Sequence, residues 1–517
     1  MILDEESLKE IVPLFKESKL NVFCGAGISS APPSNLPLAS ELKLNIVTRL
    51  VGHERSQMLA NTLNKIPLEL VIEIIDENSS RFIPALARLF HGTQPNRNHL
   101  FLARLMAMGH LQTVMTTNFD TMLEKAIGEQ SALNFTVYST EDAFSSIKLN
   151  DLSRPSIIKI HGTADDVASI RSTVQEIAMP GKSEARKNAI SLFFQETQKS
   201  ILILGYGAGD EFDINPSLRS LRSPSREAKI YFIKHQARDI FEIRPLADPF
   251  SNFNGASILC NTDQLITELK AELFSERDSA EATGAQNWQQ FLNEWDAETS
   301  SPNRLVLAAE IFGQIGELQS ARQFYLESLE KWSDDLNRMK TLINLGDVEE
   351  RMGLFQEAEP HFKTPFEIAE KLGNESAKAA IFQHLGQLAY QREDYPAAMV
   401  LTRQGESIFE RQSQESTKGV SAVNHQLGMI LSAMGFGSKA EQRLQRSIQM
   451  SIELGDLNGQ ATSLAQLGLT YKLQKKFDDA LGAYAQARSI LAKLGKTDII
   501  NRIDRDIAET EREAKST

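Results

Sequence analysis

Short runs of apolar residues alternate with longer amphipathic stretches through the first half of the chain. The runs hold four or five residues each, a length typical of strands that are buried on both faces of a sheet. The stretches between them carry apolar residues at helical spacing, for example over 100–108 and 265–273. This alternation predicts an α/β fold with a doubly wound parallel sheet. The runs lie at 20–24, 112–115, 156–160, 201–204, 229–233 and 256–260.

The second half of the chain is helical in pattern and repeats itself. A Leu-Gly pair recurs at spacings of 40, 42 and 40 residues, and an alanine stands 12 residues after each glycine. Small residues at matched positions let two antiparallel helices approach closely, so the pattern predicts a solenoid of stacked helical pairs. An earlier, degenerate copy and a charged last helix over 498–515 extend the prediction to about five repeats and a terminal cap. The glycines are Gly346, Gly386, Gly428 and Gly468.

Changes in composition and in hydrophobic periodicity along the chain indicate its domains. A polar stretch without periodicity begins near residue 276, and helical patterns resume near residue 301. We therefore predict an α/β domain over 1–275, a linker over 276–300 and an all-α array over 301–517. Within the first domain, helical spacing over 41–109 predicts a helical insert between the first two strands.

Composition and charge narrow the functional classes. The chain has 517 residues, of which 41% are hydrophobic and 24% charged, as in folded domains. Its 55 basic and 68 acidic residues give a net charge of −13, opposite to the basic surface that nucleic-acid binding favours. The longest apolar stretches fall far short of the ~18–20 residues that span a membrane, and no export signal is visible. We expect a cytoplasmic protein that binds neither nucleic acid nor a membrane.

The cysteine and histidine patterns give no indication of a metal site. The chain has two cysteines, Cys24 and Cys260, too few for a four-cysteine zinc site or a disulfide framework. We interpret both as small buried apolar residues in a reducing compartment. His91 and His99 lack the spacing of two metal ligands on one helix, and we expect loop or cap roles for them.

Residues suited to chemistry follow directly after four of the predicted strands. The carboxyl ends of parallel strands share one edge of a sheet, where open α/β folds bind ligands. Gly25 and Gly27 let the backbone turn tightly and approach a pyrophosphate. Asn118 can hold an amide or a water, a neutral His161 can accept a proton near pH 7, and Asp120 can orient either. Each segment alone is equally compatible with a turn or a helix cap.

Taken in order, these segments resemble the sirtuin family, NAD-consuming enzymes built on a Rossmann-like sheet. The segments are GAGIS at 25–29, TTNFD at 116–120, KIHG at 159–162 and GYG at 205–207, and the resemblance covers about 8–273. It implies that NAD is the substrate. The catalytic residues implied by the resemblance are Asn118, His161 and Asp120. The NAD-binding residues implied are Gly25, Ala26, Gly27, Ser29, Thr117, Gly205 and Tyr206.

Two departures separate the chain from protein-deacylating sirtuins. Those enzymes hold zinc with four cysteines beside the groove for the acyl-lysine peptide, and two cysteines cannot build that module. The family's Gly-Ile-Pro-Asp-Phe-Arg segment reads NLPLAS at 35–40 here, without its acid and its arginine. With a helical insert in place of the zinc module, the chain resembles the zinc-free sirtuin-like domains of bacterial antiviral systems. That resemblance implies hydrolysis of NAD itself, with no metal.

The repeats resemble the tetratricopeptide repeat, whose arrays bind peptides, proteins or further copies of themselves. We therefore expect an NAD glycohydrolase that serves bacterial antiphage defence by depleting NAD. The array is expected to regulate it through a protein or peptide partner, such as a phage-derived trigger. Because an always-active hydrolase is toxic, we also expect an autoinhibited resting state and a homo-oligomer. The alternatives are an NAD-dependent protein deacylase and a non-enzymatic nucleotide-sensing scaffold.

Overall fold

The described part of the chain forms two compact units in a computed structural model. The structure describes residues 5–58, 63, 66–78, 82–91, 94–130, 132–178, 184–237, 240–274, 288–412 and 418–516. The first unit, here called the sheet unit, comprises 1–42, 79–172 and 181–297, and the repeat unit comprises 43–78, 173–180 and 298–517. The contacts therefore divide the chain differently from the predicted boundaries. Two segments from within the predicted α/β domain group with the repeats.

The sheet unit is built around eight strands. They are β1 Leu20–Cys24, β2 Thr113–Thr116, β3 Thr136–Tyr138, β4 Ser156–Lys159, β5 Ser200–Leu204, β6 Ile230–His235, β7 Glu242–Pro245 and β8 Gly255–Cys260. Their order in the sheet is β3-β4-β2-β1-β5-β6-β8-β7. All neighbours pair in parallel except β7, which is antiparallel to β8. The predicted α/β fold is confirmed, and β1 lies at its centre between β2 and β5.

Burial on both faces of the sheet explains the apolar runs in the sequence. Val22 and Cys24 on β1 join one core cluster, whereas Phe23 joins the cluster on the opposite face. Every residue of β1 and β5 is buried. Strands β3 and β7 were not predicted from the sequence; they are the two edge strands and carry only exposed or half-buried residues.

Thirteen described α-helices precede the repeats. They are α1 Glu5–Lys16, α2 Ala39–Val51, α3 His53–Met58, α4 Leu68–Asn78, α5 Phe82–His91, α6 Arg97–Ala107, α7 Met122–Gln130, α8 Glu141–Ser146, α9 Val174–Ala178, α10 Glu184–Ser191, α11 Ile214–Ser220, α12 Thr262–Phe274 and α13 Asn293–Glu298. Helices α2 to α6 occupy the range predicted as a helical insert. The predicted linker contains a short 3-10 helix, Trp288–Leu292, followed by α13; residues 275–287 lie outside the described residues.

The repeats form five helical pairs and a terminal helix, as predicted. They are α14 Ser301–Gln314, α15 Leu318–Leu329, α16 Asp335–Arg351, α17 Phe355–Ala358, α18 Pro360–Leu372, α19 Glu375–Gln391, α20 Tyr395–Arg411, α21 Lys418–Ala433, α22 Gly437–Glu453, α23 Leu457–Leu473, α24 Phe477–Lys493 and α25 Thr497–Ser516. Helices α17 and α18 together form the second half of the second pair. None of the described helices is both long and apolar enough to cross a membrane.

The repeated glycines mark the closest approach within each helical pair. A Cβ added to any of the four would lie 2.6–2.8 Å from a side chain that stands 16 positions later in the sequence. The alanine 12 positions after each glycine is fully buried. The repeat spacing therefore records where the two helices of a pair touch. The pairs are Gly346 with Phe362, Gly386 with Thr402, Gly428 with Leu444 and Gly468 with Tyr484.

Candidate active site

The glycine loop after β1 packs backbone against backbone on the turn after β5. The Gly25 N–H donates to the Leu204 carbonyl at 3.0 Å, and the Gly27 N–H donates to the Gly205 carbonyl at 2.9 Å. A Cβ on Gly25 would lie 2.7 Å from the Gly205 carbonyl oxygen, and one on Gly205 would lie 2.4 Å from the Ile28 nitrogen. Gly205 also has a φ of +64°, which favours glycine. These two loops form a cradle that only glycine backbone can build.

The cradle predicts a large difference between two neighbouring glycines. Gly205→Ala is expected to lower the free energy of unfolding by about 1–3 kcal/mol through overpacking, with ~1 kcal/mol more for the positive φ. Gly207→Ala serves as the control, because a Cβ there would meet no atom within 4 Å. Its effect should stay within about 0.5 kcal/mol. Urea denaturation of both variants measures the difference, and equal stabilities would contradict the close approach.

Ser29 is the hub of a buried hydrogen-bond network at the ends of β1 and β2. Its Oγ donates to Asp120 Oδ2 at 2.8 Å and accepts from Asn118 Nδ2 at 3.2 Å. His99 Nε2 lies 3.1 Å from the same oxygen. Ser29, Asn118 and Asp120 are all buried. Three predicted site residues are thus brought together, and Ser29 and Asp120 position the Asn118 amide.

His99 is a further member of this network, and its sequence context predicted only a loop or cap role. The Asn96 N–H donates to His99 Nδ1 at 3.1 Å in a capping box at the start of α6. Because Nδ1 accepts, Nε2 carries the proton and donates it to Ser29. Burial lowers the pKa of His99 to about 4, so the ring stays neutral. The predicted cap role is present, and the same ring also fixes the hub serine.

Asn118 carries a buried acceptor that no described residue satisfies. Its backbone N–H donates to Thr116 Oγ1 at 3.0 Å and its Nδ2 reaches Ser29, but its Oδ1 has no hydrogen-bond partner. A buried acceptor without a partner costs about 1–3 kcal/mol, so Asn118 Oδ1 is available to accept a hydrogen bond from a donor that reaches it. A carboxamide N–H, such as that of nicotinamide, fits this requirement.

His161 lies in a separate group of charges at the end of β4. Its Nε2 is 3.2 Å from Asp210 Oδ2 and 3.4 Å from Asp213 Oδ1. Burial by itself lowers the pKa of His161, but Asp213 and Asp210 outweigh it and raise that pKa to about 10. The imidazole is therefore positively charged at neutral pH, in contrast to the neutral ring expected from the sequence. Asp210 and Asp213, not Asp120, orient it.

Arg186 and Glu141 extend this group and carried no signal in the sequence. Arg186 is 1% exposed, and its Nη1 donates to Asp213 Oδ2 at 2.9 Å. Its Nη2 donates to Glu141 Oε1 at 2.7 Å. Burial would raise the pKa of Asp213, yet His161 and Arg186 hold that pKa well below its usual range. The result is a buried row of alternating charges that runs from α8 to the His161 ring.

The charge of His161 predicts a pH dependence of stability. Its pKa is about 10 in the folded protein against 6.5 for an unperturbed histidine. The stabilisation from the imidazolium is therefore complete below about pH 6.5 and is lost as the pH rises through about 10. We expect the thermal midpoint of the sheet unit to fall over this window, and to fall less in His161→Gln. NMR titration of the His161 ring checks the cause, and a transition near pH 6.5 would contradict it.

The other predicted NAD-binding residues have different surroundings. Ala26 is exposed on the glycine loop, and Thr117 is half-buried, with its N–H donating to the Cys24 carbonyl at 3.1 Å. Tyr206 is buried in the core, where its ring packs on Phe23 with centroids 4.9 Å apart. Its hydroxyl donates to Asn215 Oδ1 at 2.9 Å. Tyr206 thus supports the turn after β5 from inside the core.

Two groups of side chains in the described part of the chain have donor atoms close enough to hold a metal ion. One is His161 with Asp210 and Asp213, and the other is Asp347 with Glu350 and His384 in the repeats. In each group the donor atoms lie within 4.8 Å of one another. In both, a carboxylate already pairs with the histidine. The absence of a metal stays a prediction from the sequence.

Two known families match segments of the chain, one in each half. The SIR2-like domain family matches residues 112–247, and the tetratricopeptide repeat family matches 337–411 and 419–493. The chain therefore joins a SIR2-like domain to tetratricopeptide repeats. The SIR2-like family uses NAD and comprises NAD-related enzymes. No curated protein matches the chain.

Several solved structures are similar to part of the chain. BtubC (BKLC) from P. vanneervenii is 19% identical, covering 37% of this chain and 79% of that one, with a TM-score of 0.30. TTC0263, a thermophilic TPR protein in Thermus thermophilus, is 17% identical, covering 40% and 98%, with a TM-score of 0.30. A Rap protein complexed with Competence and Sporulation Factor is 15% identical, covering 44% and 68%, with a TM-score of 0.32.

Proposed function

We propose that the chain is an NAD glycohydrolase that cleaves the nicotinamide-ribose bond and acts as an effector of bacterial antiphage defence by depleting NAD. The repeat array is the regulatory half. The observation that carries the proposal is the unsatisfied Asn118 Oδ1, buried at the end of β2 and fixed by Ser29. It offers an acceptor to the leaving amide, beside a glycine cradle suited to the pyrophosphate.

The reaction consumes one water and releases nicotinamide, ADP-ribose and a proton. As the bond breaks, positive charge develops on the ribose, and fixed carboxylates lower the energy of that charge. Asp210 and Asp213 supply two such groups beside His161. Burial and the charge of Asp213 raise the pKa of Asp210, which suits it to accept the proton of the attacking water. His161 holds both carboxylates in place.

The cysteines support hydrolysis over deacylation. Cys24 and Cys260 are both fully buried in the core of the sheet unit. They do not supply the four-cysteine module that borders the peptide groove in deacylating sirtuins. Water is then the acceptor of the ribosyl group. The defence role is supported by the resemblance to zinc-free antiviral domains and by the fusion to repeats that suit a protein ligand.

The test is nicotinamide release from NAD by the purified full chain, beside His161→Ala, with and without an acetyl-lysine peptide. Release that needs no peptide and is lost in the variant supports the proposal. Release that needs the peptide identifies a deacylase. If neither occurs, cellular NAD is followed during phage challenge, where a fall with the wild type and not the variant supports the hydrolase. A constant NAD concentration during the challenge would favour the alternative, a non-enzymatic nucleotide-sensing scaffold.

A further inference from the structure

The repeat unit contains a helix that lies, along the chain, between two segments of the sheet unit. Helix α4 follows the glycine loop and precedes the Asn118 motif along the chain, yet it groups with the repeats. Five of its apolar side chains are buried. We name the described residues 43–58, 63 and 66–78 the docked segment. They are the described residues of the segment Lys43–Asn78, which belongs to the repeat unit.

The end of α4 bridges repeats that are far apart in sequence. Asn78 Nδ2 donates to Glu310 Oε2 at 2.8 Å, and Glu77 Oε1 pairs with Lys418 Nζ at 2.7 Å. Glu310 is on α14 and Lys418 begins α21, which are the first helices of the first and fourth repeats. The first helices of different repeats therefore face one helix, as they would face a bound peptide.

A second segment, residues 173–180, also lies between segments of the sheet unit along the chain and belongs to the repeat unit. Helix α9 follows His161 along the chain and contacts both α4 and α23, the first helix of the fifth repeat. Its Gln175 N–H donates to Glu73 Oε2 at 2.8 Å. The segments that follow the glycine loop and the His161 motif are thus both held among the first helices of the repeats.

Ion pairs of Glu77 with Lys418 and of Arg55 with Glu327 join the docked segment to the repeats, while several acids crowd around α4. Helix α4 carries Glu69, Glu73, Asp76 and Glu77, and it meets Glu176 of α9 and Glu310 of α14. Burial and the charge of Glu77 raise the pKa of Glu310 to about 7, and burial also raises the pKa of Glu73. Lys418 is a cation paired with this cluster. Crowded acids make the docking weaker than the apolar burial alone would give.

The cavity at the end of α4 indicates which side chain would bind there more tightly than Asn78 does. A cavity of about 550 Å³ lies at the end of α4 and is lined by Glu77, Asn78, Glu310, Trp332 and Asn344, among others. Glu310 and Glu77 place two carboxylates in this cavity, with Lys340 also in its lining and Glu77 paired with Lys418. Trp332 gives the cavity an aromatic wall, and a carboxylate beside an aromatic ring suits a guanidinium or ammonium group. Asn78 of α4 has no charge to offer the Glu310 carboxylate.

From these contacts we infer that α4 is an internal ligand of the repeat array, exchangeable for an external helical peptide with a similar apolar face and a basic residue that enters the Glu77–Glu310 cavity. Resting on the proposed function, the exchange activates the hydrolase, because the released segment is continuous with the glycine loop. The internal ligand has the advantage of high effective concentration, so the external peptide needs the additional charge pairing to displace it.

The first test of the exchange releases α4 without changing its sequence. Lys418→Glu converts the Glu77 pair into a repulsion and should raise hydrogen exchange of residues 66–78 severalfold in the full chain. Lys476→Glu is the matched control, because Lys476 pairs with Glu441 in the repeats and is equally exposed, 45% against 46%. It should leave exchange of 66–78 unchanged. Slow exchange in Lys418→Glu would overturn the proposal.

The second test uses a synthetic peptide of residues 66–78 and the same peptide carrying Asn78→Arg. Ile75→Asp in the protein places a charge on the buried face of α4 and changes no residue of the repeats. This variant should bind the peptide at least tenfold more tightly than wild type does, and the Asn78→Arg peptide more tightly still. Equal, weak binding of both peptides to both proteins would overturn the proposal.

Nicotinamide release separates the two proposals. If both hold, Lys418→Glu raises basal release severalfold and Lys476→Glu does not. If exchange and peptide binding behave as expected while no protein releases nicotinamide, the internal ligand stands and the hydrolase proposal fails. If release occurs in wild type and exchange is unaffected by Lys418→Glu, the hydrolase stands and the internal ligand fails.

Discussion

Asn118→Ala is expected to reduce nicotinamide release by about 10²–10³-fold, the loss typical when one fixed group that stabilises a transition state is removed. The reason is the Asn118 amide, which Ser29 holds by its Nδ2 while its Oδ1 stays buried without a partner. The amide is therefore already oriented before the ligand arrives. Initial rates of nicotinamide release, measured at saturating NAD, check this expectation.

The stability of the same variant distinguishes a functional role from a structural one. Truncation loses the hydrogen bond to Ser29 but also removes the unsatisfied acceptor, so the free energy of unfolding should change by less than about 1 kcal/mol. Asn21→Ala is the control, because Asn21 is fully buried in β1 and its amide also lacks partners among the described residues. Its release rate should stay within about twofold of wild type. Full activity of Asn118→Ala would remove the basis of the proposed function.

The parts of the fold that the sequence predicted are those where local pattern and burial coincide. The central strands are buried on both faces, which is why β1 and β5 read as apolar runs. The edge strands β3 and β7 have a solvent side and no neighbour beyond them, and their exposed residues left no such run. The glycine spacing of the repeats was informative because it records a steric contact, as between Gly468 and Tyr484.

The candidate site was predictable where its residues follow strands and not where they come from helices. Asn118, Asp120 and His161 stand at strand ends, and the fold brings each to the same edge of the sheet. Arg186 and Glu141 lie in polar helices, where a charged residue normally faces water. Their burial depends on packing between α8, α10 and the loop before α11, which no local pattern encodes.

The helices of the docked segment were predictable from the sequence, but the unit against which they pack was not. Helical spacing correctly predicted helices within 41–109, because amphipathicity depends only on the order of residues. Amphipathicity does not specify what covers the apolar face. The same apolar face would suit packing against the sheet, and contacts such as those with Glu310 and Lys418 place α4 among the repeats.

Arg186→Met is expected to lower the free energy of unfolding of the sheet unit by about 3–5 kcal/mol, the cost of breaking a buried ion pair from one side. Methionine fills a similar volume but leaves Asp213 buried, 3% exposed, with His161 still beside it and no guanidinium. Arg219→Met is the control, because Arg219 also pairs with two carboxylates but is 37% exposed. Its loss should be about 0–1 kcal/mol. Thermal and urea denaturation of the full chain measure both.

The double variant Arg186→Met with Asp213→Asn identifies the cause of that loss. If the cost arises from an unpaired buried charge, neutralising Asp213 should recover a large part of it, since neutral groups of the same shape are far cheaper to bury. The pKa of His161 should then fall below about 10 as well, because one of the carboxylates that raise it is gone. A double variant no more stable than Arg186→Met would mean that the guanidinium acts by packing, and the row of charges would then have no part in holding His161.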